Sequence, residues 1–390
     1  MDMTRIDEYT DQVIKANAPD LAVPRSACLV DGAIDPCGIV IFGATGDLTS
    51  RKLAPAIYNL FETDTLPDRF FVLGAARSKM SNDSFRLAIR ESLNSRDLAR
   101  WDEFARRLYY QAVAFDSQDS FDALATTLQK LAQEHNTNGN KLIYLALPPS
   151  LYGTAARMLG QAGSAREGEE GAGWARIVIE KPFGRDLKSS IQLNSSLQEY
   201  FSERQIYRID HYLAKETVQN VLVLRFANAI FEPLWNRNYI DHVRILAVES
   251  LGVLRRASYY EEAGVLRDMF QNHMMQLLAL TAMEPPASLE ADRVRDEKVK
   301  VFRSLRPFTN DLTTDDLLLG QYGPGVVDGE DVVGYREEQG VRADSTTPTF
   351  GMMRVFLENW RWKGVPFYLV SGKRLVEKRT EISIYFKSVP

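Results

Sequence analysis

From residue 37 onward the chain alternates two kinds of hydrophobic pattern. CGIVIFG (37–43) is an unbroken apolar run ending in glycine, which predicts a strand buried on both faces of a parallel sheet. LTSRKLAPAIYNLF (48–61) follows with apolar positions at helical spacing. RFFVLGAAR (69–77), KLIYLALPP (141–149) and ARIVIEKPF (175–183) read as further strands, and stretches such as FDALATTLQKLAQEH (121–135) as the helices between them. This alternation predicts an α/β layer with a parallel sheet and helices on both faces. The Gly- and Glu-rich GSAREGEEGAGW (163–174) predicts a solvated loop.

Past about residue 210 the rhythm changes. KETVQNVLVLRFAN (215–228) predicts a helix, DHVRILAVES (241–250) a strand and LRDMFQNHMMQLLALTAM (266–283) a long helix. MMRVFLENWRWKG (352–364) and TEISIYFKSV (380–389) alternate as antiparallel strands with one exposed face do. The expected organisation is a polar N-terminal extension (1–36), an α/β domain (37–209) and an α+β domain (210–390) with a large, mainly antiparallel sheet. The chain stops in a predicted strand, at SVP, where an edge would be left unpaired.

Composition narrows the function classes. Apolar residues at 45% and charged residues at 25% suit a globular protein, and a net charge of −5 gives no bulk attraction to nucleic acid or an anionic membrane. No apolar run reaches the ~18 residues of a membrane span. The first 36 residues carry no secretory or transit pattern, and the only cysteines are Cys28 and Cys37, so a reducing, bacterial-type cytoplasm is expected. No metal-ligand spacing is visible, and no metal is expected.

GATGDL (43–48) lies between the first strand and its helix, where a Rossmann sheet holds a dinucleotide pyrophosphate. Gly43 permits the tight turn and Gly46 the close backbone approach, so Gly43, Thr45, Gly46, Asp47 and Leu48 are candidate coenzyme contacts. Thr49 stands where the usual third glycine would be. The second strand ends in GAARS (74–78), with no acid to take a ribose hydroxyl but with Arg77. An Arg–phosphate contact is worth roughly 1.5–3 kcal/mol, on the order of a tenfold to hundredfold preference for NADP. Residues 37–209 are thus read as a Rossmann-type NADP-binding domain.

RIDHYLAKE (208–216) packs Arg, Asp, His, Tyr, Lys and Glu into nine positions, in a chain with four histidines. By composition alone it reads as a solvated charged turn. His273 shares a helical stripe with Leu266, Phe270 and Leu277, which by spacing alone describes a core histidine.

GATGDLTSRKL (43–53), EKPFG (180–184), RIDHYLAKE (208–216) and LRDMFQNH (266–273), with the later GQYGPG (320–325) and SGKRLVEKRTEI (371–382), together resemble glucose-6-phosphate dehydrogenases from about residue 38 to the last residue. The resemblance implies hydride transfer from the anomeric carbon of glucose 6-phosphate to NADP, giving a phosphogluconolactone. It makes His273 the catalytic base and Asp210 the carboxylate that orients it. It assigns His211, Tyr212 and Lys215 to the phosphate, and Glu249, Asp268, Lys373 and Lys378 to the sugar pocket. Lys181 would meet both the sugar and the coenzyme, and the bond to Pro182 is expected to be cis. Two departures stand out. LRRASYY (254–260) carries Ala257 and Ser258 where the family has glycines, so a backbone needing positive φ there would be strained or differently folded. The family also continues for roughly another quarter of this length, so the sheet is expected to be incomplete, and a homodimer or homotetramer is expected where it is complete. Two other readings remain: a different two-domain NAD(P)-dependent sugar dehydrogenase, and a non-catalytic NADP-binding fragment or sensor.

Overall fold

The computed structural model describes residues 34–93, 98–168, 173–308, 316–327 and 329–389. Cys28, most of the N-terminal extension and residues 169–172 of the Gly/Glu-rich loop lie outside the described residues. The chain groups into two compact units. The first runs to Leu147 and includes Thr154–Ile177; the second takes Pro148–Gly153 and the residues from Val178 onward. This division comes earlier in the chain than residue 210. Its cause is the segment after Ile179, whose Lys181 and Arg185 bond to Asp268 and Arg267.

The first unit is built on β1 (Cys37–Phe42), β2 (Phe70–Ala76), β3 (Leu108–Ala112) and β4 (Lys141–Leu145). With β5 (Ala175–Ile179) and β6 (Ile206–Arg208) they form a six-stranded sheet in the order β3-β2-β1-β4-β5-β6. The β1–β2, β1–β4 and β2–β3 pairs are parallel. Every residue of β1 and β2 is buried, as their unbroken apolar runs require. The helix Ala54–Glu62 packs Tyr58 and Phe61 against Phe70, Trp101 and Phe104 in an aromatic core. The 163–174 loop is not wholly solvated, because Glu167 is half-buried and pairs with Arg176.

The second unit holds a mixed sheet in the order β13-β7-β12-β11-β8. Its strands are β7 (Ile240–Val248), β8 (Leu317–Gly320), β11 (Phe350–Phe356), β12 (Pro366–Gly372) and β13 (Arg379–Phe386), with a small β9–β10 hairpin (Gly325–Val327, Glu330–Val332) apart from it. β12 runs parallel to β7, and the other pairs are antiparallel. Val243, Ile245, Phe367 and Leu369 share one buried core with Phe270, Met274 and Leu277 of the long helix.

That helix ends with its carbonyls satisfied by side chains. Arg225, fully buried, donates to the oxygens of Leu280 and Met283 at 3.0 and 2.8 Å. The indoles of Trp235 and Trp362 donate to Thr281 and Ala282, each at 2.8 Å. Four orphan acceptors at a buried helix end are thereby paired, which fixes the helix that carries His273. The expected strain at Ala257 and Ser258 does not arise. Both lie in a right-handed helix, Ala257–Val265, and the positive φ of this segment falls on Leu254 at 49°. No described helix is long and apolar enough to cross a membrane.

Candidate active site

In the first unit, the turn after β1 has the shape a dinucleotide phosphate needs. Gly43 has φ +81°, and a Cβ there would lie 2.1 Å from the carbonyl oxygen of Ala146. Only glycine fits. The Gly46 amide closes the turn on the Gly43 oxygen at 2.9 Å. Thr45, Gly46 and Asp47 are exposed and Leu48 half-buried. Thr49 is fully buried, and its hydroxyl donates to the Gly43 oxygen at 3.0 Å. The residue at the absent third glycine therefore locks the turn from inside. Arg77 follows β2 directly and is exposed, with no carboxylate partner among the described residues. The turn and Arg77 fit a phosphorylated dinucleotide.

In the second unit, RIDHYLAKE leaves β6 and turns back on itself. Arg208 is spent on structure, bonding Glu203 and Asn194. Asp210 Oδ1 accepts the Tyr212 amide at 2.9 Å and lies 2.6 Å from His273 Nδ1. The His273 ring, 1% exposed, stacks on Tyr212 at 4.0 Å, and His211 meets its edge at 4.8 Å. The Lys181–Pro182 bond is cis, and Lys181 Nζ sits 2.8 Å from His273 Nε2. An ammonium can only donate, so Nε2 presents a lone pair to Lys181; Nδ1 lies 2.6 Å from Asp210 Oδ1 as an ion pair, at an angle off a straight hydrogen bond.

The helix geometry contributes to this meeting. Leu266–Met274 is π-helical before the α-helix Met275–Ala282 begins. In an α-helix, at 3.6 residues per turn, positions five apart point roughly 140° from each other. The i→i+5 bonding of a π-helix brings them nearer one side. Asp268 and His273 are five apart, and Lys181 Nζ touches both, at 3.0 Å from the Asp268 carbonyl and 3.4 Å from its Oδ1. The expected helix is present, but wider at its start than its apolar stripe suggested.

The charges are held in defined states. Burial would raise the Asp210 pKa, but the bond to His273 and the Tyr212 amide outweigh it, and the net shift is downward. Asp268 behaves likewise: burial opposes ionisation, and Lys181, Lys373 and Arg256 overcome it. His211 is an exposed residue whose ring is partly desolvated against its neighbours; that desolvation, and then the nearby His273 and Lys181, lower its pKa, so it is neutral at pH 7. Burial, then repulsion from Lys378, lowers the Lys215 pKa. Lys215 lies 3.3 Å over the Tyr212 ring. Burial pushes the Tyr212 hydroxyl up to about 12, against a bond to Thr380 that acts the other way. Lys215 and Lys378 thus repel each other beside the neutral donors His211 and Tyr212, a repulsion that an anion seated among them would relieve. Glu249 and Lys373 pair with each other, and Lys373 lies 5.2 Å from the Tyr260 ring centre.

Asp210, His211 and His273 are also grouped closely enough to suggest metal ligands. The Lys181 ammonium, 2.8 Å from His273 Nε2, places a positive charge at the atom a metal would need.

Residues 40–220 match the family model "Glucose-6-phosphate dehydrogenase, NAD binding domain", and residues 222–390 match "Glucose-6-phosphate dehydrogenase, C-terminal domain". The chain is 50% identical over 357 residues to the glucose-6-phosphate 1-dehydrogenase of Aggregatibacter actinomycetemcomitans, covering 91% of this chain and 72% of that protein. It is 46% identical over 352 residues to the enzyme of the same name from Bacillus subtilis, covering 90% and 71%. The chain belongs to the glucose-6-phosphate dehydrogenase family. A solved glucose-6-phosphate dehydrogenase in complex with its substrate glucose 6-phosphate superposes with a TM-score of 0.84 at 36% identity, covering 93% of this chain and 74% of that one.

Against the glucose-6-phosphate dehydrogenase resemblance, the second unit brings together Lys181, Asp210, His211, Tyr212, Lys215 and His273, with Asp268 held by Lys181. Sequence reasoning missed Thr49, Thr380, Tyr259 and Arg256. Thr49 carried a signal, since a buried hydroxyl in place of a turn glycine needs an acceptor nearby. The other three contact residues distant in the chain or one helical turn away, and nothing in their local sequence marks them.

Proposed function

We propose that the chain oxidises glucose 6-phosphate at its anomeric carbon with NADP, yielding 6-phosphogluconolactone and NADPH. His273 takes the proton of the anomeric hydroxyl on Nε2, while Asp210 holds Nδ1–H and stabilises the imidazolium that forms. The substrate hydroxyl replaces the Lys181 ammonium at Nε2, and Asp268 keeps that ammonium within reach. As the proton leaves, the C1–O bond gains double-bond character and the C1 hydrogen departs with its electron pair. NADP, when bound, accepts that pair and hydrogen as hydride. His211, Tyr212 and Lys215 hold the phosphate, joined by Lys378, which the resemblance put in the sugar pocket but whose charge acts on Lys215; Glu249, Asp268 and Lys373 hold the ring hydroxyls. Gly43, Thr45, Gly46, Asp47, Leu48 and Arg77 hold the coenzyme.

The observation that carries this reading is the His273 ring, with Nδ1 2.6 Å from Asp210, Nε2 2.8 Å from Lys181, and His211 and Tyr212 against its ring. The test follows the absorbance of reduced nicotinamide with NADP and glucose 6-phosphate. Turnover with the phosphate ester, and far less with free glucose, is expected. Comparable rates on both sugars would favour a dehydrogenase of unphosphorylated sugars, and no reduction at any pH by folded protein would end the proposal.

A further inference from the structure

Asp268 is held more closely than a hydroxyl acceptor needs to be. Its side chain is 5% exposed, and all three of its close side-chain partners meet the same oxygen, Oδ1. The Tyr259 hydroxyl donates to Oδ1 at 3.1 Å, Lys181 Nζ lies 3.4 Å away and the Arg256 guanidinium 3.9 Å away. Arg256 also lies over the Tyr259 ring at 4.8 Å, so the two form one stacked arm reaching Asp268 from the neighbouring helix. Burial raises the pKa of the Tyr259 hydroxyl, and the Asp268 charge raises it further, so it remains a donor at every working pH. With Oδ1 claimed by these contacts, Oδ2 is the oxygen left to offer.

We propose that Tyr259, backed by Arg256, is a positioning residue for hydroxyl selectivity: it fixes Asp268 so that Oδ2 is presented to one ring hydroxyl of the sugar phosphate. This rests on the proposed oxidation of glucose 6-phosphate and adds the device that distinguishes one hydroxyl pattern from another. Without the phenol, Oδ1 keeps Lys181 but loses the donor that sets the carboxylate plane, and Oδ2 can turn away. A site built to bond a hydroxyl discriminates strongly only while its acceptor is aimed.

The experiment compares the unaltered protein, Tyr259→Phe, Asp268→Asn and the double variant on glucose 6-phosphate and on the set of its monodeoxy analogues. For Tyr259→Phe, KM for glucose 6-phosphate is expected to rise about tenfold, with kcat changing less than about threefold, the loss of one hydrogen bond to a charged acceptor. On the analogue lacking the hydroxyl that Asp268 receives, Tyr259→Phe and the unaltered protein should share the same kcat/KM. The Tyr259→Phe penalty should also vanish in the Asp268→Asn background. A purely structural role would lower kcat/KM on every sugar alike and survive in the Asp268→Asn background, and that result overturns the proposal. So does a Tyr259→Phe protein with unchanged discrimination. If the unaltered protein fails on glucose 6-phosphate, the functional reading itself fails, which these comparisons separate from failure of Tyr259 alone. Should Tyr259→Phe not fold, Arg256→Gln, which removes the outer half of the arm, is expected to give the same selective rise in KM to a smaller degree, and a uniform loss on all sugars refutes it.

Discussion

Replacing Asp210 with Asn tests the proton-transfer chain at one atom. Asp210 Oδ1 lies 2.6 Å from His273 Nδ1, the two side chains are 11% and 1% exposed, and the Asn is close to the same size. Two amide orientations bracket the effect. If the amide oxygen keeps the Tyr212 amide and His273 Nδ1–H, only the charge is lost. Two unit charges about 4 Å apart at an effective dielectric of 20 interact by about 4 kcal/mol, which is on the order of 10³ in rate at 1.4 kcal/mol per decade. If the amide nitrogen turns toward Nδ1, it favours the Nε2–H tautomer, which has no lone pair for the substrate. A tautomer reversal of this kind costs on the order of 10⁴. The expected result is therefore a kcat lowered by roughly 10³ to 10⁴, with KM for glucose 6-phosphate nearly unchanged because the phosphate cluster is untouched. Stopped-assay product measurement extends the range to slow variants, and deuterium at C1 should then show a full primary isotope effect. A folded Asp210→Asn protein with kcat within about tenfold of the parent, under 1.4 kcal/mol of barrier, refutes the pairing as the source of basicity.

Other consequences follow from single contacts. Arg77→Ala should lower the preference for NADP over NAD by roughly tenfold to a hundredfold, read from kcat/KM with each coenzyme. Lys215→Ala should raise KM for glucose 6-phosphate by about tenfold or more while leaving the slow rate on free glucose unchanged, since only the anion needs it; equal losses on both sugars would place Lys215 elsewhere. Partial desolvation, then His273 and Lys181, lower the pKa of the exposed His211 ring, so the unfolded chain takes up the proton first and stability falls as pH drops below 6.5, by a small amount because solvent screens an exposed group. His211→Gln removes this penalty, and thermal melts of the substrate-free protein should show its Tm gaining on the parent as pH drops from 7.5 to 5.

The α/β layer was legible because parallel strands buried on both faces leave unbroken apolar runs, as in CGIVIF and FFVLGAA. The role proposed for His273 was not. Its apolar neighbours Phe270 and Leu277 describe a core position, and it is buried as a core residue would be. What sets it apart from a core residue is Asp210 beside one nitrogen and Lys181 beside the other, partners 63 and 92 residues away in a chain whose local pattern records neither. The resemblance implied the role and named Asp210 for it, and the structure adds Lys181 at the other nitrogen. The π-helical start was hidden for a related reason, since a sequence stripe is read at 3.6 residues per turn and the widening is visible only through the contacts it permits. β12 was passed over because SGKRL read as a binding segment, while the apolar positions before it, Phe367 and Leu369, become a strand only against β7 and β11.

The central claim is that one imidazole removes a proton from a sugar held by separate phosphate contacts. His273→Asn measures it most directly, with glucose 6-phosphate binding followed by calorimetry and NADP reduction by absorbance on the same preparation. Binding within a few-fold of the parent and turnover reduced by at least about 10³ are predicted. Retained turnover, or binding lost together with turnover in a folded protein, would contradict the account.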